Sequence, residues 1–268
     1  MITRLHACAL LPALAGLTAV CAQTPSFAPA PPDPTLAVTA APTVVSQYLF
    51  RGLRYGGPSF QPWVEADYGG WAAGVWSSVP LSDRVPGQSD PEIDPYVSYT
   101  QSLGSGISLV PGFQAYTYPR APLNQGAYRA TYEPSMAFNA LAGGVRLTPK
   151  VAYDLTRQAL TLELAAALAV PLKTLGTELD FNAVAGTTHQ SAALNTSGTG
   201  LSPGRAEQDY ASAGVTLPIQ VAVNTKVSLG YAYSRGWNAW IASGGLPHSP
   251  NPLAAGRGVV TAAVLFTF

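Results

Sequence analysis

The chain has 268 residues, 47% of them hydrophobic, with 24 prolines and 26 glycines. Lys plus Arg and Asp plus Glu number 14 each, so the formal net charge is zero, and only 10% of residues are charged. An ordinary soluble domain carries about 25%; the balance excludes a nucleic-acid binder, which needs a basic excess, and argues against a charged disordered chain.

Residues 1–22 read as a cleaved signal peptide. Arg4 supplies a short positive start and residues 7–20 an apolar run. Val20-Cys21-Ala22 offers small residues for cleavage before Gln23. An N-terminal anchor is the rival, but the run is shorter than the ~20 residues of a spanning helix. Lipidation at Cys21 is a second rival, although Thr18-Ala19-Val20 lacks the usual small residue before a lipidated cysteine. Cys8 and Cys21 are the only cysteines, so a processed chain has no disulfide, no thiol chemistry and no Cys-based metal site. Residues 23–42 are expected to form an extended Pro/Ala-rich segment. Residues 43–268 are expected to form one β-barrel domain.

Beyond that segment the chain alternates with the period of strands. In the stretch 145–156, Val145, Leu147, Val151, Tyr153 and Leu155 share one face and Arg146, Thr148, Lys150, Asp154 and Thr156 the other. Tyr132, Met136 and Phe138 oppose Arg129, Thr131, Glu133, Ser135 and Asn139 in the same way. Twelve strands are predicted, at 43–54, 60–68, 71–80, 92–102, 106–118, 128–141, 145–156, 159–172, 177–189, 207–222, 225–236 and 257–268. Their connections alternate. Those at 68–71, 103–106, 142–144 and 222–225 are tight, whereas 82–91, 119–127, 190–206 and 236–256 are long. The short connection 156–159 is the exception on the long side.

A water-soluble β-sandwich would bury one face of each strand equally well. Strands of about ten residues, however, match a tilted bilayer crossing, and short turns at one end with long loops at the other describe an outer-membrane barrel. The fold class predicted is therefore all-β: a closed, up-and-down, antiparallel transmembrane barrel. The last strand supports it. Val260, Ala262, Val264, Phe266 and Phe268 alternate up to a terminal Phe. Val264, Phe266 and Phe268 resemble the signal read by the barrel assembly machinery.

Val45-Ser46-Gln47-Tyr48-Leu49-Phe50-Arg51-Gly52-Leu53 resembles the opening strand of the TorF-type porin family, whose pattern there is Tyr, an aliphatic residue, then Phe-Arg-Gly. Ala73-Gly74-Val75-Trp76-Ser77-Ser78-Val79 and Glu92-Ile93-Asp94-Pro95-Tyr96 match further on, in the same order. The resemblance implies a porin-like barrel in the outer membrane and names no solute.

Strand parity predicts which side chains line the lumen. The set is Arg129, Glu133, Arg146, Lys150, Asp154, Glu163, Asp180 and Lys226, equally divided between acids and bases, joined by Arg51, Asp94, Glu65 and Asp67. Arg or Lys facing mid-bilayer lipid costs roughly 2–4 kcal/mol, so these belong inside. Their mixed signs fit either internal ion pairs filling a narrow bore or a weakly selective path for small polar solutes and ions. Tyr68, Trp71, Tyr116, Tyr118, Trp237 and Trp240 fall near strand ends, where outward members would form an interfacial girdle.

An enzyme is the less favoured class. No phosphate loop or metal-spaced His cluster occurs, and no cofactor or metal is expected. His189 and Ser191 lie two apart, which on a strand places both on one face. Outer-membrane lipid hydrolases use a similar pair to attack acyl esters. The orienting third residue has no obvious position, although Asn195 lies nearby. A lipid hydrolase and a structural or adhesive barrel are thus the alternatives to a channel. The partners expected are outer-membrane lipid, the assembly machinery and small polar solutes, with no nucleic acid.

Overall fold

The computed structural model describes residues 35–85, 90–121, 129–191, 193–194, 201–202, 206–241 and 249–268. Among them, twelve antiparallel strands close into a barrel. β1 comprises Ala37–Ala41 and Thr43–Val45, and β2 comprises Ser59–Phe60 and Trp63–Tyr68. β3 is Trp71–Pro80, and β4 is Glu92–Tyr99 continued by Gln101–Gly104. β5 (Ile107–Thr117), β6 (Ala130–Ala142), β7 (Val145–Asp154) and β8 (Ala159–Leu172) follow. β9 (Thr177–Gln190), β10 (Ala206–Ala222), β11 (Thr225–Ile241) and β12 (Arg257–Thr267) complete the ring.

Each strand pairs with its neighbours in sequence, and β12 pairs with both β11 and β1. The seam extends to the last residue: the Phe268 N–H donates to the Val38 carbonyl at 2.9 Å, and the Val38 N–H to the Phe268 carbonyl at 3.1 Å. Among the described residues, closure pairs every wall strand on both sides, as a lipid-facing sheet requires. The connections at one end are tight. Gly69-Gly70 and Gly143-Gly144 have positive φ at both positions, the geometry of a two-residue type I′ hairpin turn.

The burial pattern is inverted relative to a soluble domain. Val64, Val75, Phe113, Tyr132, Met136, Leu162, Leu164, Phe181, Leu229 and Val260 are exposed on the outer wall. Thr43, Gln61, Glu65, Ser78, Asp94, Gln114, Thr131, Glu133 and Thr261 are buried inside. This is the arrangement expected of a barrel solvated by lipid, with polar groups alternating into the lumen.

Two expectations require correction. The first strand is not 43–54: it begins at Ala37 and ends at Val45. The chain then turns inward, and residues 48–50 and 53–56 pair as a hairpin inside the barrel. The apolar run Tyr48-Leu49-Phe50 with Leu53 has the composition of a wall strand. Tyr116 and Tyr118 do not belong to a girdle; both are buried within the barrel. Tyr68 and Trp71 are outside, more than half exposed, and the Trp71 ring lies 4.9 Å from that of Tyr99. The side chain of Trp240 lies outside the described residues, while Trp237 is exposed.

Candidate functional site

The lumen is built around the inner hairpin. Its two central residues, Arg51 and Gly52, have φ of 48° and 77°, so the hairpin reverses in two residues. A Cβ at Gly52 would sit 2.6 Å from Tyr210 Cβ and 2.8 Å from Gly236 Cα. Only glycine lets the tip reach the wall of β10 and β11. The hairpin's aromatic rings fill the opposite half of the bore. Tyr48 lies 5.6 Å from Trp76, and Phe50 lies 5.8 Å from Tyr116. Trp63, Tyr96 and Leu265 complete this internal apolar cluster.

Arg51 extends from the tip toward β6 and β8. Its two terminal nitrogens donate to the two oxygens of Glu133, each at 2.8 Å. Tyr116 Oη donates to the same carboxylate at 3.1 Å. Glu163 lies 3.9 Å from Arg51 Nε, accepts from Tyr210 Oη at 2.6 Å and lies 3.8 Å from Lys150 Nζ. Gln208 Nε2 donates to the Arg51 carbonyl at 2.9 Å. A forked guanidinium on a carboxylate is the strongest ion-pair geometry available to side chains. Here it fastens a connecting segment to strands across the bore.

A second set of acids lies behind the hairpin. Glu92 accepts from Tyr48 Oη at 2.6 Å and from Tyr118 Oη at 2.9 Å. Asp94 accepts from the Thr117 N–H at 3.2 Å and from Gln114 Nε2 at 3.4 Å. Glu65 accepts from Tyr96 Oη at 2.8 Å. Asp154 is buried on the inner face but turns its carboxylate to the N–H groups of Thr156 and Arg157, closing the short β7–β8 turn. Arg157 on that turn is held in its charged form: burial opposes the charge, but Tyr118, Tyr55 and Asp154 outweigh it. Arg129 departs from its expected place. It precedes β6, is exposed, and bonds the Ala121 carbonyl at 3.3 Å, because strand parity does not extend past the strand's first residue.

The other half of the bore is more open. The inward positions of β8–β10 include Ala165, Ala167, Ala169, Asn182, Gly186 and Gly214, all partly accessible. The inward positions of β1 and β2, from Thr39 through Val45 and Ser59 through Glu65, are buried. Small side chains keep these lumen positions partly accessible, whereas Asp180, Val184, Tyr210, Ser212 and Thr216 on β9 and β10 are buried. Asp180 points inward from β9 but is buried, within electrostatic reach of Glu178, Lys226 and Arg146. Asp180 Oδ1 and both polar atoms of Asn182 make no hydrogen bond within the protein, although they are shielded. Buried polar groups of this kind require a solvent or solute partner.

On the outer wall, His189 and Ser191 are engaged separately. His189 Nδ1 lies 2.8 Å from Glu207 Oε1, while Ser191 Oγ donates to the Gln158 carbonyl at 3.0 Å. Asn195 and His248 lie outside the described residues. Glu207, on β10, is the carboxylate neighbour that the sequence does not disclose, because it stands opposite His189 only through strand pairing. Tyr116, Tyr118, Tyr210 and Glu92 were likewise not expected to contribute to the lumen; inward parity of Glu92 with Asp94 was the available signal.

The sequence profile of a family described as "Bacterial protein of unknown function (Gcw_chp)" matches residues 29–199. The chain belongs to this family. A search of curated proteins found no match. Among solved structures, the chain is similar to the KdgM porin, with TM-score 0.50 and 12% identity over 86% of this chain and 99% of that one. It is similar to the NanC porin, with TM-score 0.47 and 11% identity over 87% and 99%. It is also similar to LpxR from Salmonella typhimurium, with TM-score 0.40 and 9% identity over 87% and 99%. At 12% identity the likeness to the KdgM porin shows the fold alone.

Proposed function

We propose that this Gcw_chp family member is an outer-membrane channel through which small polar solutes or ions pass by diffusion. The observation that carries the reading is the uneven filling of a closed barrel whose inner face is polar. The path runs along β7–β11, past Arg146, Lys150, Glu163, Asp180, Asn182 and Lys226. The rest of the bore is occupied by the hairpin and its aromatic and acidic contacts.

Several features support this reading. The outer wall is apolar where lipid would lie. The leader-like residues 1–22 and the outward Val264, Phe266 and Phe268 suit export and assembly. The TorF-type resemblance and the porin fold agree with it. Charges on the open side have both signs, which suits weak ion selectivity. A hydrolase receives less support, since the hydroxyl of Ser191 faces Gln158 and not His189. Conductance of the refolded, purified protein in a planar bilayer tests the proposal. Discrete current steps support it; a sealed bilayer containing inserted protein opposes it.

A further inference from the structure

We infer that the hairpin of residues 46–58 is a latched obstruction, and that release of Arg51 from Glu133 widens the path. This inference rests on the channel reading above. It deepens that reading by naming the element that sets the bore's width.

The hairpin's attachment to the wall has three parts: its ends, its tip, and a flank held by the Tyr48–Glu92 hydrogen bond and by the packing of Tyr48 on Trp76 and Phe50 on Tyr116. At its ends the backbone is tied by hydrogen bonds. The Ser46 N–H donates to the Val260 carbonyl at 2.9 Å, and the Gly57 N–H to the Asp83 carbonyl at 3.0 Å. Gly56 also bridges Arg84, and Arg54 pairs with Asp83. Between these anchors the hairpin pairs with itself, Tyr48 with Gly56 and Phe50 with Leu53. Its tip reaches the far wall through side chains and one backbone acceptor: Arg51 to Glu133, Gln208 to the Arg51 carbonyl, and close packing of Gly52 on Gly236. Once the tip is released the self-paired ribbon stays held at its base and along its aromatic flank, so it is the tip that is free to withdraw from the path.

The latch is also placed where it narrows the bore most. Lys150, Glu163, Gly186, Tyr210 and Gly236 lie side by side across five neighbouring strands by register. Gly52 and Arg51 meet this row directly. The Tyr210 ring lies across Gly186, where a Cβ would stand 2.5 Å from its hydroxyl, and it donates to Glu163. The wall therefore leans inward at the height where the hairpin tip leans outward. Glu163 is shared: it faces Arg51, Lys150 and Tyr210. Releasing Arg51 leaves Glu163 with two partners, so the wall side of the contact survives while the tip is freed. The anchors at Ser46 and Gly57 are untouched by that release.

Single-channel recordings of the full refolded protein test the latch. The variants are Arg51→Ala and, as the milder lesion, Glu133→Gln. Heat-modifiable migration confirms that each has folded. Loss of a forked, buried ion pair shifts the latched-to-released ratio by roughly tenfold or more. Large-conductance openings should therefore be about tenfold more frequent in both single variants than in wild type. Folded variants with wild-type conductance would overturn the latch and leave the channel reading standing. No current from wild type or from any folded variant would overturn both.

Discussion

Arg51 donates both terminal nitrogens to Glu133, although the two residues lie 82 positions apart and one of them is not on a wall strand. The side chains are 10% and 2% exposed, so the pair is shielded from bulk water. Such a pair binds two parts of a structure more effectively than it stabilises either. Glu133→Ala leaves the guanidinium buried beside Glu163 alone and should lower stability by about 3 kcal/mol. Urea unfolding in detergent micelles would measure it. A double-mutant cycle with Arg51→Ala should be strongly non-additive, since each variant removes the same contact.

Gly52 and Gly143 form a matched comparison. Both have positive φ, but a Cβ at Gly143 would meet nothing within 4 Å. Gly143→Ala should cost only the left-handed strain of about 1–2 kcal/mol. Gly52→Ala adds a clash with Tyr210 and with the Gly236 backbone, for a further 1–3 kcal/mol or so. Thermal unfolding should place Gly52→Ala clearly below Gly143→Ala. Equal losses would mean that the tip does not press on the wall.

Selectivity should follow the charges of the open half. Arg146 and Lys150 are its buried bases, facing Asp180 and Glu163. Replacing both by Glu makes this side of the bore acidic, and reversal potentials in a salt gradient should shift toward cations. Replacing the exposed Arg129 by Glu should shift them much less. Ser191→Ala should leave conductance unchanged, and neither wild type nor this variant should release fatty acid from phospholipid.

Topology is testable with single cysteines, because the processed chain is expected to have none. Ser82 lies at the long-loop end, and Leu175 and Val223 lie in exposed turns at the other. An impermeant thiol reagent applied to whole cells should label Ser82→Cys and spare Leu175→Cys and Val223→Cys. Labelling of all three would contradict a wall of twelve crossings.

Much of the wall was legible from the sequence, because alternation of polar and apolar residues directly reflects a two-sided strand. Val145–Asp154 is a clear case, with Arg146, Thr148, Lys150 and Asp154 all inside. The Gly-Gly turns marked the tight end. The hairpin was not legible. Tyr48-Leu49-Phe50-Arg51-Gly52-Leu53 has strand composition, and no local rule distinguishes a strand facing lipid from one enclosed by other strands. The strand before it, Ala37–Ala41, was missed because AVTAA carries little polar contrast. Long-range partners were equally hidden. Glu133 was placed inside by parity, but its match to Arg51 depends on how the hairpin crosses the bore. Tyr116 and Tyr118 lie near a strand end and resembled interfacial residues until their hydroxyl groups were seen to meet Glu133 and Glu92.

Single-channel conductance of wild type beside Arg51→Ala, with insertion verified for both, tests the central claim most directly. The account predicts small, weakly selective steps for wild type and larger steps about tenfold more often for Arg51→Ala. Bilayers that stay sealed with either protein inserted would contradict it.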